Sequence, residues 1–259
     1  MSVMISMILL RESCELPAST IERELRQRYP DLSASLESNE GGVPSFKLKE
    51  GTAMLAHMPA PIPWSELEGP CATSLLWKDA TEEVQRHECH ILVTLLSEQN
   101  EIEQSTLLTK TTAAVLAACD AAMGVYWGNA TLVIPKQIFL DFAEQVLPLG
   151  PPLDIWVDFR VGWQTKTVSG GFTQGMEALG HMELETQESP EKPGDLRDRL
   201  QGVARYLLQN GPVIRDGDTI GEDAREKIRV IYSDSAFGND KRVMRLQYEA
   251  QAKPWWKLW

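Results

Sequence analysis

The sequence predicts an α+β protein made of two packed split-βαβ, ferredoxin-like halves joined by a helix. Three observations lead there. Apolar, strand-like runs alternate with stretches of helical period so that β-α-β-β-α-β reads out over residues 3–96 and again over 125–232, with one further strand behind. A long helical stretch, residues 106–123, stands between the two series. The composition, 43% hydrophobic and 24% charged over 259 residues, is that of an ordinary globular chain with enough length to bury its own core. The expected organisation is an N-terminal half over residues 1–100, a connecting helix over 101–124, a C-terminal half over 125–250 and an aromatic tail over 251–259.

Each element has its local reason. Val3–Leu10 is an apolar run suited to a buried strand. Pro17 can open a helix on which Ile21 and Leu25 recur at helical spacing, and Pro30 stops it. The Ser-, Glu- and Gly-rich stretch 31–44 reads as a loop. Phe46, Leu48 and Met54–Met58 form a hairpin turning at Glu50-Gly51. Residues 59–70 hold four prolines and read as irregular. A short polar helix over Thr81–Glu88 leads to an apolar strand, His90–Leu96.

The helix over 106–123 carries the stripe Leu108, Thr112, Val115, Cys119, Ala122 and is closed by Gly124 in the position after its cap. Val125–Ile134 is a strand, and Pro135 opens a helix facing inward with Ile138, Phe142 and Val146. Pro148–Pro152 breaks the chain before a strand over Leu153–Val161 and an extended stretch from Phe172 to Thr186. After Pro193 a third good helix buries Leu196, Leu200, Val203 and Leu207 and ends before Gly211. Ile228–Tyr232 and Val243–Tyr248 complete the strands.

Charge and composition narrow the function classes. A formal net charge of -12 disfavours nonspecific nucleic-acid binding, which needs clustered Lys and Arg, and favours steering toward a basic partner. No apolar run approaches the roughly 20 residues of a membrane-spanning helix. The first charge, Arg11, follows the first apolar run, the reverse of a secretory signal, so a cytoplasmic location is expected. Cys14, Cys71, Cys89 and Cys119 form no C-x-x-C pair and are expected to be reduced thiols with no two in disulfide geometry.

The candidate chemistry is sparse. His87, Cys89 and His90 cluster within four residues, but a structural zinc site needs a second ligand pair that the sequence lacks, so no metal is expected. Neither a phosphate loop nor a G-x-S-x-G elbow is present, and no cofactor or catalytic residue is assigned. Glu183 and Glu185 alternate with Met182 and Leu184, which sets two carboxylates on one strand face. Asp216 and Asp218, in the turn sequence D-G-D, complete a four-carboxylate group if the chain folds back on itself. Such a group could hold a cation or act as an acid–base pair; plain polar-out alternation explains the same pattern. Trp255, Trp256 and Trp259 crowd the tail K-P-W-W-K-L-W, which either packs on its own domain or anchors in a partner.

Several phrases are distinctive: T-Q-G-M-E-A-L-G-H-M-E-L-E (Thr173–Glu185), R-Y-L-L-Q-N-G-P-V-I-R-D-G-D-T-I-G (Arg205–Gly221), M-P-A-P-I-P (Met58–Pro63) and G-V-Y-W-G-N-A (Gly124–Ala130). Together they resemble a bacterial family known as domain of unknown function four-two-six-one. The resemblance implies bacterial origin and a fold, and it brings no mechanism. By analogy with small bacterial partner proteins, the expected function is a non-enzymatic immunity protein that binds and neutralises a basic, possibly nuclease, toxin such as one delivered by type VI secretion. The expected partner is thus a cognate toxin, with no nucleic acid and no membrane. The alternatives are a metal-dependent or hydrolytic enzyme using Glu183, Glu185, Asp216 and Asp218, and an adaptor acting through the tryptophan tail.

Overall fold

A computed structural model describes residues 2–14, 17–221 and 226–248. The tail with Trp255, Trp256 and Trp259 lies outside the described residues. The chain divides into two compact units. The first runs to Asp158 and also takes in Ala178–Gly180; the second comprises Phe159–Glu177 and the chain from His181 on.

The first unit is built on strands β1 (Ser2–Leu10), β2 (Ser35–Glu40), β3 (Val43–Leu48), β4 (Gly51–Met58), β5 (Cys89–Ser97), β6 (Ala122–Trp127) and β7 (Leu132–Pro135). Its helices are α1 (Ala18–Arg28), α2 (Trp64–Ala72), α3 (Ala80–Val84), α4 (Glu101–Ala118), α5 (Lys136–Asp141) and α6 (Leu153–Trp156). The seven strands stand in the order β2-β3-β4-β5-β1-β6-β7, and all their pairings are antiparallel. Because β5 runs opposite to both β1 and β4, those two are parallel with β5 between them. By the same logic β5 and β6 are parallel with β1 between them. The first unit therefore contains two interleaved split-βαβ crossovers, through α1 and α4, which is the ferredoxin-like order. The helix expected to join two halves is instead an internal layer of this unit.

Burial explains why α4 sits there. Thr109, Thr111, Thr112, Ala113, Ala114, Val115 and Leu116 are all buried, so the helix is enclosed on most sides and shows no single stripe. Asn100 caps it, accepting a hydrogen bond from the Glu103 amide at 3.0 Å. Ser6 on β1 and Thr112 on α4 share a buried hydrogen bond of 2.6 Å between sheet and helix. On the opposite sheet face Leu9, Met123, Tyr126 and Val133 meet Leu67, Cys71, Trp77, Ala80 and Val84 from α2, α3 and the chain between them.

Several local expectations change. The 31–44 stretch contains β2, which pairs with β3 across a turn at Gly41-Gly42, two residues in the left-handed region. Residues 64–72 form α2 in spite of Pro70, which lies near the helix end. Gly124 belongs to β6 and closes no helix, since the chain has already turned at Asp120–Ala121. The run 125–134 is a hairpin, not one strand, broken at Gly128–Ala130. On the helix after Pro135 the inward residues are Phe139 and Ala143, one position on from the predicted face. Leu153–Trp156 is a helical turn, and the strand starts only at Asp158.

The second unit has strands β8 (Asp158–Trp163), β9 (Ser169–Gln174), β10 (Leu184–Ser189), β11 (Thr219–Ile220), β12 (Ile228–Asp234) and β13 (Arg242–Tyr248), with helix α7 (Pro193–Asn210). Their order is β11-β12-β13-β10-β9-β8. Strands β10 and β13 pair directly and in parallel, Leu184 with Met244, so no strand separates them and the split-βαβ order expected for this half is absent. The α+β class holds for both units. Helix α7 buries Leu196, Leu200, Ala204 and Leu207, with Ala204 in the place expected for Val203.

Candidate functional site

The residues singled out on β10 are where the second unit is most constrained. Alternation puts Glu183 and Glu185 on one side of the strand, but both are buried, at 4% and 2% exposure. Burying a carboxylate is tolerable only if its oxygens find donors. Glu183 finds them in the turn after β9: it accepts from the Thr173 hydroxyl at 2.6 Å and from the amides of Gly175 and Glu177 at 2.7 and 3.1 Å. Thr173 Oγ1 in turn accepts the Leu184 amide at 2.8 Å, which locks the strand start to β9. Burial pushes the Glu183 carboxyl above its ordinary pKa, and these hydrogen bonds oppose the push.

Glu185 faces the other neighbour. It accepts from the Ala236 amide at 2.9 Å and from the Ser235 hydroxyl, in the loop between β12 and β13. Ser235 Oγ also receives the amides of Phe237 and Asn239, both at 3.0 Å. One carboxylate therefore organises a whole turn. The turn brings Phe237 onto Phe172 of β9, ring centroids 5.1 Å apart and stacked, while the Arg160 guanidinium stands 5.9 Å from the Phe172 centroid.

Between these loops lies a recess of about 370 Å³, bounded by Phe172, Glu177, Glu185, Phe237, Asn239 and Lys241 among others. Its charged lining is three carboxylates, Glu177, Glu185 and Asp240, against one ammonium, Lys241. Glu177 is held from two sides, by Asn239 at 3.2 Å and Lys241 at 2.6 Å.

Asp216 and Asp218 do not join this group. They sit in the turn before β11 and are exposed. Asp216 accepts the Tyr232 amide and Asp218 the Arg215 amide, both at 2.7 Å, so each caps backbone at the β11 edge of the sheet. Strands β12 and β13 lie between that edge and β10. The expected four-carboxylate cluster is thus two buried structural acids and two separate surface caps. Among the described residues no group of three His, Cys, Asp or Glu is placed to hold a metal ion. His87 is taken up by structure: its Nε2 accepts the Ile62 amide at 2.8 Å, and Nδ1 lies 2.6 Å from the Val84 carbonyl.

Sequence reasoning missed the recess because its walls come from three separated segments. One signal was available: S-A-F-G-N-D, Ser235–Asp240, places an aromatic residue inside turn-forming chemistry, where core packing does not ask for one.

The second unit is therefore an α+β domain whose two buried glutamates shape an acidic, aromatic-lined recess. Residues 172–247, which contain the recess, match the family described as Domain of unknown function (DUF4261), the family that the sequence motifs resemble. No curated protein and no solved structure matches the chain. Among the described residues no helix is long and apolar enough to cross a membrane.

Proposed function

We propose that this protein is a non-enzymatic binding protein of the immunity type, which occupies and neutralises a basic protein toxin. The recess on the second unit carries this reading. The accessible carboxylates of Glu177 and Asp240, beside two stacked phenyl rings, suit an arginine or lysine side chain from a partner, which would compete with Lys241 for Glu177 and gain ring contact as well. The net charge of -12 adds long-range attraction to a cationic surface. Exposed Asp216 and Asp218 lie on the same unit and extend the acidic surface beyond the recess. A cytoplasmic protein meeting a toxin delivered by type VI secretion is the setting in which this chemistry is useful.

The test is co-expression in a bacterial host with the product of the adjacent open reading frame, followed by association kinetics on the purified pair. The association rate should fall steeply with added salt while dissociation changes much less. Glu177→Lys with Asp240→Lys should abolish protection, and Asp216→Lys with Asp218→Lys should slow association, all with unchanged circular dichroism. Salt-independent association, or full protection by the recess variant, would overturn the reading.

A further inference from the structure

The sulfur atoms of Cys14 and Cys119 lie 3.1 Å apart although 105 positions separate them in the chain. The sequence suggested four solitary thiols; the fold makes these two neighbours. The cause is in the backbone. The Arg11 amide donates to the Ala121 carbonyl at 3.0 Å, extending the pairing of β1 with β6 and carrying the chain after β1 alongside the end of α4. Cys119 is the residue that caps α4, its amide bonded to Leu116, and its carbonyl accepts from the Lys136 ammonium at 2.8 Å. Cys119 is buried at 5% exposure, and Cys14 is half-buried and reachable from solvent.

We propose that Cys14 and Cys119 form a covalent modification site, closing to an intramolecular disulfide when a low-molecular-weight disulfide is supplied. The sulfurs need to approach by only about 1 Å to reach the bonded separation of roughly 2 Å. The more exposed Cys14 reacts first: its thiolate attacks one sulfur of the reagent RSSR, and one RS⁻ departs. The Cys119 thiolate then attacks Cys14 Sγ and expels the second RS⁻. The protein's two thiol protons end on the two released RSH molecules, the two cysteines are oxidised, and the reagent is reduced. Burial and the neighbouring Cys119 push the Cys14 thiol up to about 12, so the first step is slow at neutral pH and accelerates as pH rises. Burial raises the Cys71 thiol to about 11. The linked loop is long, and the bond holds the segment after β1 to the end of α4, so the oxidised form unfolds at a higher temperature.

Oxidised glutathione incubated with the native full-length protein tests this. Intact mass should fall by two hydrogens, tryptic mapping should join the peptides of Cys14 and Cys119, and two of the four thiols should still titrate in denaturant. Cys14→Ser and Cys119→Ser should each abolish the linked peptide; Cys71→Ser should leave it intact. The oxidised form should melt several degrees higher, and dithiothreitol should reverse the shift. A persistent glutathione adduct on Cys14 without closure, linkage of Cys14 to Cys89, or an unchanged mass would each overturn the proposal.

Discussion

Gly124 lies against the indole of Trp77 with no room for a side chain between them. A β-carbon on Gly124 would stand 2.4 Å from Cζ3 of the ring and 2.5 Å from the Ile134 carbonyl oxygen. The ring is fixed from behind, its Nε1 donating to Glu83 at 3.2 Å, and it is nearly fully buried. Gly124→Ala should therefore cost about 1–3 kcal/mol through overpacking. Urea unfolding would register this as a lower midpoint at an unchanged m-value.

The Glu183 carboxyl gives stability a sign that pH can reveal. Burial, the largest influence, raises its folded-state pKa, so the folded protein holds this proton more tightly than the unfolded chain. Its contribution is fully present below the unfolded carboxyl value and is lost as pH rises through the higher folded one. Glu183→Gln keeps an oxygen for the Gly175 and Glu177 amides and removes the titration. The pH dependence of unfolding free energy across the acidic range should be flatter in this variant, with stability at neutral pH equal to or above that of the parent.

Arg199 on α7 ties three segments of the second unit together. Its guanidinium meets Glu191 at 2.7 Å through Nε and Glu226 at 2.7 and 3.1 Å through the two terminal nitrogens, while the Tyr248 hydroxyl donates to the other Glu191 oxygen at 2.9 Å. Hydrogen bonding and the charge of Glu191 hold the guanidinium protonated against burial. Arg199→Met strands two carboxylates in a mostly enclosed place and should lower stability by about 3 kcal/mol. Arg199→Lys should recover only part of that, because an ammonium cannot make the forked contact. Thermal unfolding of the two variants ranks them directly.

Tyr29 should behave in the opposite way. It lines a cavity of about 460 Å³ in the first unit with Arg28, Lys110 and Glu144, yet its buried hydroxyl has no hydrogen-bond partner among the described residues. Burial pushes that phenol up to about 12. Tyr29→Phe removes a polar atom that gains nothing from its surroundings, so stability should stay within about 0.5 kcal/mol of the parent or rise slightly. A large loss in calorimetry would show that the hydroxyl has a role the fold does not display.

The legible part of the fold was local, and the illegible part was pairing. Proline and helical period placed α1 and α7 to within a residue or two, because caps and stripes are short-range signals. Strand partners were not readable: nothing near Leu184 announces that it lies beside Met244. The same gap misplaced α4, whose role follows from β5 and β6 being parallel across β1. For the site, alternation sets Glu183 and Glu185 on one face, but alternation is blind to depth. A strand that reads polar-out turned out to have its carboxylates buried, each claimed by a different loop. The turn over 35–48 was missed for a simpler reason: β2 is too polar to look like a strand, as an edge strand can afford to be.

The parallel contact between β10 and β13 also sets an order of events during synthesis. Strands β8, β9 and β10 emerge together and can pair at once, but β10 has no partner on its other edge until Arg242–Tyr248 is made and delivered with β12. Until then β10 presents an unpaired edge, and Glu185 lacks the Ser235 and Ala236 donors that later satisfy it. Contacts that close over such long stretches of chain are the slow ones in folding, and unpaired edges are where nascent chains stick to one another. The second unit therefore passes through an interval of exposure, whereas the hairpins β2-β3-β4 at one edge of the first unit's sheet pair with one another as they emerge. In the second unit, chaperone demand and aggregation during expression should trace to this late strand.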